Sequence, residues 1–130
     1  MNVAVLGASN KPERYSYQAV KWLAEKGHTV FPVHPALAAI DGIPVFNRLA
    51  DISAPLHTIT VYLGRERSSA LAEDILASCA ERLIFNPGAE NPDLAQRLRS
   101  VGIETLNACT LVLLKTDQFD SRERRAGHRA

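Results

Sequence analysis

The stretch that decides the fold lies at the N-terminus, where residues 3–16 read VAVLGASNKPERYS. Its first four residues are all apolar, which is typical of a strand buried on both faces inside a parallel sheet. The run stops at Gly7, and a polar loop follows from Ala8 to Arg14. Beyond the loop, apolar residues recur at helical spacing, namely Tyr17, Val20, Leu23 and Ala24. The stretch therefore predicts a buried strand, a loop and an amphipathic helix in succession.

The rest of the chain continues this alternation of strands and helices. Strand-like runs occupy residues 29–33, 58–63, 82–85 and 103–106, and helical stripes occupy residues 71–79 and 94–101. Residues 34–57 are less regular and predict a long crossover with one short helical turn near residues 49–52. The alternation predicts the α/β class, with a five-stranded parallel sheet and helices on both faces. Right-handed crossovers favour the strand order 3-2-1-4-5.

Four details qualify this prediction. Pro32 is awkward inside a central strand and indicates a locally unpaired position. Cys79 falls on an apolar helical stripe and is predicted to lie in the core. The apolar run 111–114 fits a helix or a strand. Residues 116–130 are polar and charged, so we expect one domain over residues 1–115 and a flexible C-terminal tail over residues 116–130.

Composition and charge limit the classes of partner. The 130 residues are 46% hydrophobic and 22% charged, which is ordinary for a globular domain. Lys and Arg number 15 against 14 Asp and Glu, and this balance argues against nucleic acid or an acidic membrane surface as a partner. No apolar run reaches the roughly 18 residues of a membrane helix. The two cysteines and four histidines have no metal-ligand spacing, and we expect a cytoplasmic protein without a metal site.

The loop after the first strand has the features of a phosphate site. Gly7 allows a sharp turn and a close approach of the ligand to the backbone. The N-terminus of the following helix favours anions through its free N–H groups and its dipole. Ser9 and Asn10 add side-chain donors, and Lys11 and Arg14 add positive charge. In a parallel sheet this loop lies at the carboxyl ends of the strands, where ligands bind.

Two features of dinucleotide sites are missing from these segments, and their absence limits the classes of phosphate ligand. The GxGxxG fingerprint of dinucleotide sites is absent, because Gly7 is the only glycine of the loop. An NAD site also uses a carboxylate at the end of the second strand, whereas this strand ends in Val33, His34 and Pro35 with no carboxylate before Asp41. The loop therefore accepts a diphosphate, while the second strand argues against NAD.

These residues resemble a known family. Residues 5–9 (VLGAS), Pro12, Arg14, residues 16–17 (SY), Gly27 and residues 32–35 (PVHP) are similar to the small CoA-binding proteins. Those are single Rossmann-like domains, similar to the nucleotide-binding part of the succinyl-CoA synthetase alpha subunit, and the resemblance runs from about residue 1 to residue 114. It implies that CoA lies across the strand ends with its diphosphate on the first loop. The expected CoA-binding residues are Gly7, Ala8, Ser9, Asn10, Lys11, Pro12, Arg14, Val33, His34, Pro35, Arg65, Phe85, Asn86, Pro87 and Gly88.

The sequence also departs from the family pattern. Relatives often have Asn-Pro where this chain has His34-Pro35, and the lysine with which the synthetase meets the phosphorylated ribose is replaced in the region of Ala36 and Leu37. Recognition of the 3′-phosphate therefore falls to Lys11, Arg14 or Arg65, or is weak. The synthetase's phosphorylated histidine belongs to a second domain, and we expect no counterpart of that histidine in this chain.

The resemblance implies a protein that binds CoA or an acyl-CoA and has no catalytic activity of its own. The alternative is a nucleotide-binding subunit, or half, of an acyl-CoA ligase-type enzyme that needs a partner chain. Assembly as a homodimer or with an enzyme subunit stays open at this point.

Overall fold

The computed structural model describes residues 1–120, which form an α/β domain around one five-stranded parallel sheet. Its strands are β1 (Asn2–Leu6), β2 (Thr29–Val33), β5 (Thr58–Val61), β6 (Arg82–Phe85) and β7 (Glu104–Asn107). The helices are α1 (Tyr15–Glu25), α2 (Arg65–Ala70), α3 (Ala72–Ala77), α4 (Pro92–Ser100) and α5 (Thr110–Lys115). The predicted fold class is confirmed, and the undecided run 111–114 belongs to helix α5.

The order of the strands corrects the prediction. The sheet runs β2-β1-β5-β6-β7, so the third long strand along the chain lies beside β1 and not beyond β2. Counted over the five long strands, the order is 2-1-3-4-5, and the predicted order 3-2-1-4-5 is wrong. The physical reason is Pro32, which has no N–H to offer to a neighbour on the outer side of β2.

The outer edge of β2 is covered by the crossover segment instead of by a strand. Phe46 makes a single parallel bridge beside Val33. Its N–H donates to the carbonyl of Pro32 at 2.9 Å, and its carbonyl accepts from the N–H of His34 at 3.0 Å. Within a strand, the N–H and C=O of one residue point to the same side, so the N–H that Pro32 lacks belongs to this outer edge. A full strand cannot form here.

The crossover itself is a small antiparallel hairpin and a short helical turn. The hairpin consists of β3 (Ala39–Ile40) and β4 (Ile43–Pro44), and the 3₁₀ turn covers Leu49–Asp51, close to the predicted position. Asp41 at the tip of the hairpin accepts a hydrogen bond from Tyr17 of α1 and pairs with Lys21 at 3.1 Å. These contacts hold the hairpin against helix α1.

Helices cover both faces of the sheet, as predicted. Val3 and Val5 of β1 pack in one cluster with residues of α1 and α5, whereas Ala4 and Leu6 pack on the other face with residues of α3 and α4. Alternate residues of a strand point to opposite faces, and the apolar run of β1 therefore supplies both cores. None of the helices in residues 1–120 is long and apolar enough to cross a membrane.

Two positions near the ends of elements differ from expectation. Cys79 is exposed and has a positive φ of 55°, because it follows the end of α3 and does not continue the helical stripe. Phe119 falls in the segment 116–130 predicted to be a polar tail, yet its side chain is buried. The guanidinium of the buried Arg82 lies 4.7 Å from the centre of the Phe119 ring and donates to the Phe119 carbonyl at 2.7 Å. The remainder of the predicted tail, residues 121–130, lies outside the described residues.

Candidate functional site

The main cleft of the described chain opens at the carboxyl ends of the strands and has a volume of about 910 Å³. It is bounded by the segments that follow β1, β2 and β5. In the observed strand order, the crossovers change direction between β1 and β5, and this is where ligands of open α/β sheets bind. The cleft therefore occupies the position expected of a functional site.

The loop after β1 forms the floor of the cleft. Gly7 has a φ of +90°, and a Cβ built on it lies 2.8 Å from the Cδ2 atom of Leu63. The N–H groups of Gly7 and Ala8 both donate to the Val33 carbonyl, at 3.3 and 3.1 Å, which ties the loop to the end of β2. These two N–H groups are therefore occupied, and they are not free for an anion as the loop's sequence suggests.

The following part of the loop leads into an uncapped helix N-terminus. The Oγ atom of Ser9 accepts from the N–H of Lys11 at 3.1 Å and thereby shapes the turn. No side chain caps the N-terminus of α1, and its first turn contains no acidic residue. Tyr15 and Ser16 of that turn line the cleft. The positive end of an eleven-residue helix thus faces the cleft.

The side-chain charges of the cleft are predominantly positive. Lys11, Arg14, Arg48 and Arg67 line it, against a single carboxylate, Asp74. Arg48 is paired with Asp74 through its Nη2 atom at 3.2 Å. Among residues 1–120, Lys11, Arg14 and Arg67 have no carboxylate partner within 4.0 Å. Three cations without a partner in a cleft favour an anionic ligand with several charges.

The turn after β2 closes one side of the cleft. The Nδ1 atom of His34 accepts from the N–H of Ala36 at 3.0 Å. The side-chain amide of Asn47 donates to the carbonyls of His34 and Leu37, at 3.0 and 3.3 Å. The turn is therefore held on two sides. Asp41, the first carboxylate after β2, is engaged with helix α1 and is not part of the cleft lining.

The structure brings together most of the residues predicted for the site. The cleft is lined by Gly7, Ala8, Ser9, Asn10, Lys11, Arg14, Val33, His34 and Pro35. Pro12, Arg65 and the segment from Phe85 to Gly88 are not part of its lining. The guanidinium of Arg65 is paired with Asp93 at 2.7 Å on the outside of the domain.

The side chains of Phe85 and Asn86 are buried and support the fold. The Phe85 side chain is fully buried in the core. The Asn86 side chain is buried, donates to Thr60 Oγ1 at 2.7 Å and to the Val61 carbonyl at 2.9 Å, and accepts from the N–H of Thr110 at 2.8 Å. Asn86 therefore joins β5 and β6 to the start of α5.

Sequence reasoning missed part of the lining. Tyr62 and Leu63 directly follow β5, and their place at a strand end is the signal that identifies them. Burial raises the pKa of Tyr62, so the phenol stays protonated and can donate a hydrogen bond. Arg48, Leu49, Arg67 and Leu71 come from the short turn and from around α2. No spacing in the sequence marks them, because their convergence depends on the crossover.

The chain matches one protein-family model, and it is similar to proteins of known sequence and structure. The family model of the CoA binding domain matches residues 1–115. The uncharacterised protein YneT of Bacillus subtilis is 27% identical over 100 residues, which are 77% of this chain and 74% of YneT. A crystal structure of an uncharacterised protein superposes with a TM-score of 0.86 at 32% identity, over 91% of this chain and 97% of that one.

A larger enzyme contains the same fold. The dinucleotide-forming acetyl-coenzyme A synthetase 1 of Ca. Korarchaeum cryptofilum matches with a TM-score of 0.72 at 19% identity. The match covers 82% of this chain but only 25% of the synthetase chain.

Proposed function

This chain belongs to the CoA-binding domain family, and from that premise we propose that it binds CoA or an acyl-CoA in the cleft, without catalytic activity of its own. The observation that carries the proposal is the set of unpartnered cations beside the uncapped end of α1. The diphosphate lies on the first loop, near Ser9, Asn10, Lys11 and Arg14. The adenosine lies along the end of β2, beside Val33, His34 and Pro35.

The apolar part of the cleft supports the same ligand. Leu37, Leu49, Leu63 and Leu71 line the cleft together with the polar residues of the first loop. A nucleotide base is a flat, largely apolar group, and its burial between such side chains is favourable. Pro12 and the segment from Phe85 to Gly88 are left out of the proposed contacts, because they do not line the cleft.

CoA is favoured over NAD by the end of β2. NAD sites hold the ribose hydroxyls with an acidic residue at this point. Here the turn presents His34 and Pro35, and Asp41 is committed to Tyr17 and Lys21 of helix α1. Within residues 1–120, the carboxylate that lines the cleft is Asp74, which pairs with Arg48, so the lining offers no unpaired carboxylate to the ribose.

We expect calorimetric titration to give tighter binding of CoA than of NAD. Lys11→Ala and Arg14→Ala should each weaken CoA binding about tenfold or more, because a charge-assisted contact to phosphate is worth about 1.5–3 kcal/mol. The affinity should also fall as salt is added. Lys26→Ala is the matched control, since Lys26 follows the opposite end of α1 and pairs with Asp117. Tighter binding of NAD, or full affinity in both loop variants, would contradict the proposal.

A second candidate function rests on the similarity to the synthetase, in which this fold is about a quarter of the chain. The chain then serves as the nucleotide-binding subunit of an acyl-CoA ligase-type enzyme. A tagged chain isolated from its own cells should carry a larger subunit, and the complex should form an acyl-CoA from a free acid and a nucleoside triphosphate. Isolation of the chain alone favours the binding protein.

We also propose that the protein acts in the cytoplasm. Cys79 and Cys109 are both free thiols, which fits a reducing compartment.

A further inference from the structure

A second group of positive charges lines the cleft on a wall formed by segments outside the first loop. Arg67 lies on α2, and Arg48 immediately precedes the 3₁₀ turn. Leu49, Leu63 and Leu71 also line the cleft and add apolar surface to it. The lining thus contains one group of cations on the first loop, a second group formed by Arg67 of α2 and Arg48 of the crossover, and apolar side chains besides. This composition suits a ligand that has two separate anionic groups.

Arg48 is held in place on this wall. Its Nη2 atom donates to both carboxylate oxygens of Asp74, at 3.2 and 3.3 Å. The side chain of Asp74 is 22% exposed, whereas that of Arg48 is 65% exposed. Asp74 therefore anchors one corner of the guanidinium to α3, and the other N–H groups of Arg48 stay available to a ligand.

Arg67 differs from Arg65, its near neighbour on the same helix. Both are exposed arginines of α2, but Arg65 pairs with Asp93 at 2.7 Å and lies outside the cleft. Arg67 lines the cleft and has no carboxylate partner among residues 1–120. A free guanidinium at the edge of an apolar wall is suited to bind a phosphate with two parallel hydrogen bonds.

We propose that Arg67, assisted by Arg48, forms a second anion-binding position that recognises a phosphate on the ribose of the ligand. The inference rests on the proposed function, because it assumes that the first loop holds the diphosphate. It assigns the selectivity for a 3′-phosphorylated nucleotide to this wall and not to Lys11, Arg14 or Arg65. Asp74 acts as a positioning residue, since it contacts Arg48 and not the ligand.

The test compares CoA with dephospho-CoA, which lacks only the ribose phosphate. The wild-type protein should bind CoA at least about tenfold more tightly than dephospho-CoA. Arg67→Ala should remove most of this difference by weakening CoA alone, and Arg48→Ala should reduce it. Arg65→Ala is the matched control from the same helix and should leave both affinities unchanged. Lys11→Ala should weaken both ligands by a similar factor.

Each outcome separates the inference from the function on which it rests. If the wild-type protein binds neither ligand, the proposed function fails. If it binds both equally, CoA binding stands and the second anion-binding position is refuted. The inference is also overturned if Arg67→Ala weakens both ligands alike, or if the difference between the ligands is lost in Arg65→Ala or Lys11→Ala instead. Thermal unfolding of the free variants checks that the fold is retained.

Discussion

Gly7 is under two separate constraints at the scale of a single residue. Its φ of +90° lies in a region that costs a residue with a Cβ about 1–2 kcal/mol. A Cβ at this position also meets the Leu63 side chain, which lines the cleft. Gly42 has a φ of +82° but no atom within 4 Å of a Cβ, so it carries the first constraint without the second.

We therefore expect Gly7→Ala to lower both the free energy of unfolding and the affinity for CoA. Gly42→Ala should lower the free energy of unfolding by a smaller amount, because it adds the backbone strain without the close contact, and should leave CoA binding unchanged. Combining Gly7→Ala with Leu63→Ala separates the contact from the backbone strain, because the double variant removes the close approach. Denaturant titration and calorimetry measure the two quantities. Full CoA affinity in Gly7→Ala would show that the position of Leu63 is unimportant for the ligand.

Single residues also show where sequence reasoning ends. The first loop was identified from the order of a strand, a glycine and a helix, which is a local pattern. Arg65 and Arg67 cannot be told apart in the sequence, since they differ only in the direction in which a helix presents them. The resemblance to the CoA-binding proteins predicts a ligand contact for Asn86, yet its amide is engaged in a buried network.

At the scale of elements, the helices and strands could largely be predicted, whereas their arrangement could not. Asn91 caps α4 by accepting from the N–H of Leu94 at 3.2 Å, and Pro92 occupies the first turn, so the helix begins at an Asn-Pro pair, which is a typical helix start. The predicted strand order was wrong because the sequence does not show on which side of β1 the crossover from β2 places the next strand. Pro32 was the available signal, since a proline that cannot pair on one side marks an edge strand.

His28 links the start of β2 to the segment after α5. Its ring meets that of Phe119 at 5.3 Å, and the Met1 amine lies 3.2 Å from its Nδ1 atom. Burial lowers the pKa of His28 below its ordinary value of 6.5, and the Met1 amine and Arg82 lower it further, while Asp120 opposes them. The unfolded chain then binds more protons than the folded one as the pH falls below that value, and stability decreases.

We expect the free energy of unfolding to fall between about pH 7.5 and about pH 5.5, and to fall less in His28→Gln, which does not titrate in this range. Urea titrations at the two pH values measure the difference. The quantity to compare is the change with pH within each protein, because the substitution also alters the contact with Phe119. An equal change in both proteins would assign the pH dependence to other groups.

At the scale of the whole molecule, the segment after α5 completes the core. Phe119 belongs to the buried cluster that also contains Val3, Ile84 and Leu113, and its carbonyl accepts from the buried Arg82. We expect Phe119→Ala to lower the free energy of unfolding by about 3–5 kcal/mol. Val112→Ala is the control, because Val112 is 55% exposed, and it should change stability by less than about 0.5 kcal/mol. A comparably small effect of Phe119→Ala would show that the segment does not contribute to the fold.

The same segment shows why the end of the domain is hard to read from a sequence. Phe119 is an isolated aromatic residue in a polar run, and a single apolar residue has no period from which burial can be predicted.

The lining of the cleft is also only partly predictable from the sequence. Its floor comes from one continuous loop and was predicted, whereas its far wall combines residues from the crossover and from around α2. Only the folded chain brings those segments together.

The single bridge at Phe46 has a consequence for crowded solutions of this protein. An exposed edge strand can form backbone hydrogen bonds with a strand of another molecule, which is a common start of aggregation. Along β2 the outward positions are Val30, Pro32 and His34, of which Pro32 has no donor and His34 is already bonded to Phe46. An incoming chain finds one backbone donor there. Growth of the five-stranded sheet is therefore hindered on this side, and within the described chain the other edge of that sheet is the four-residue strand β7.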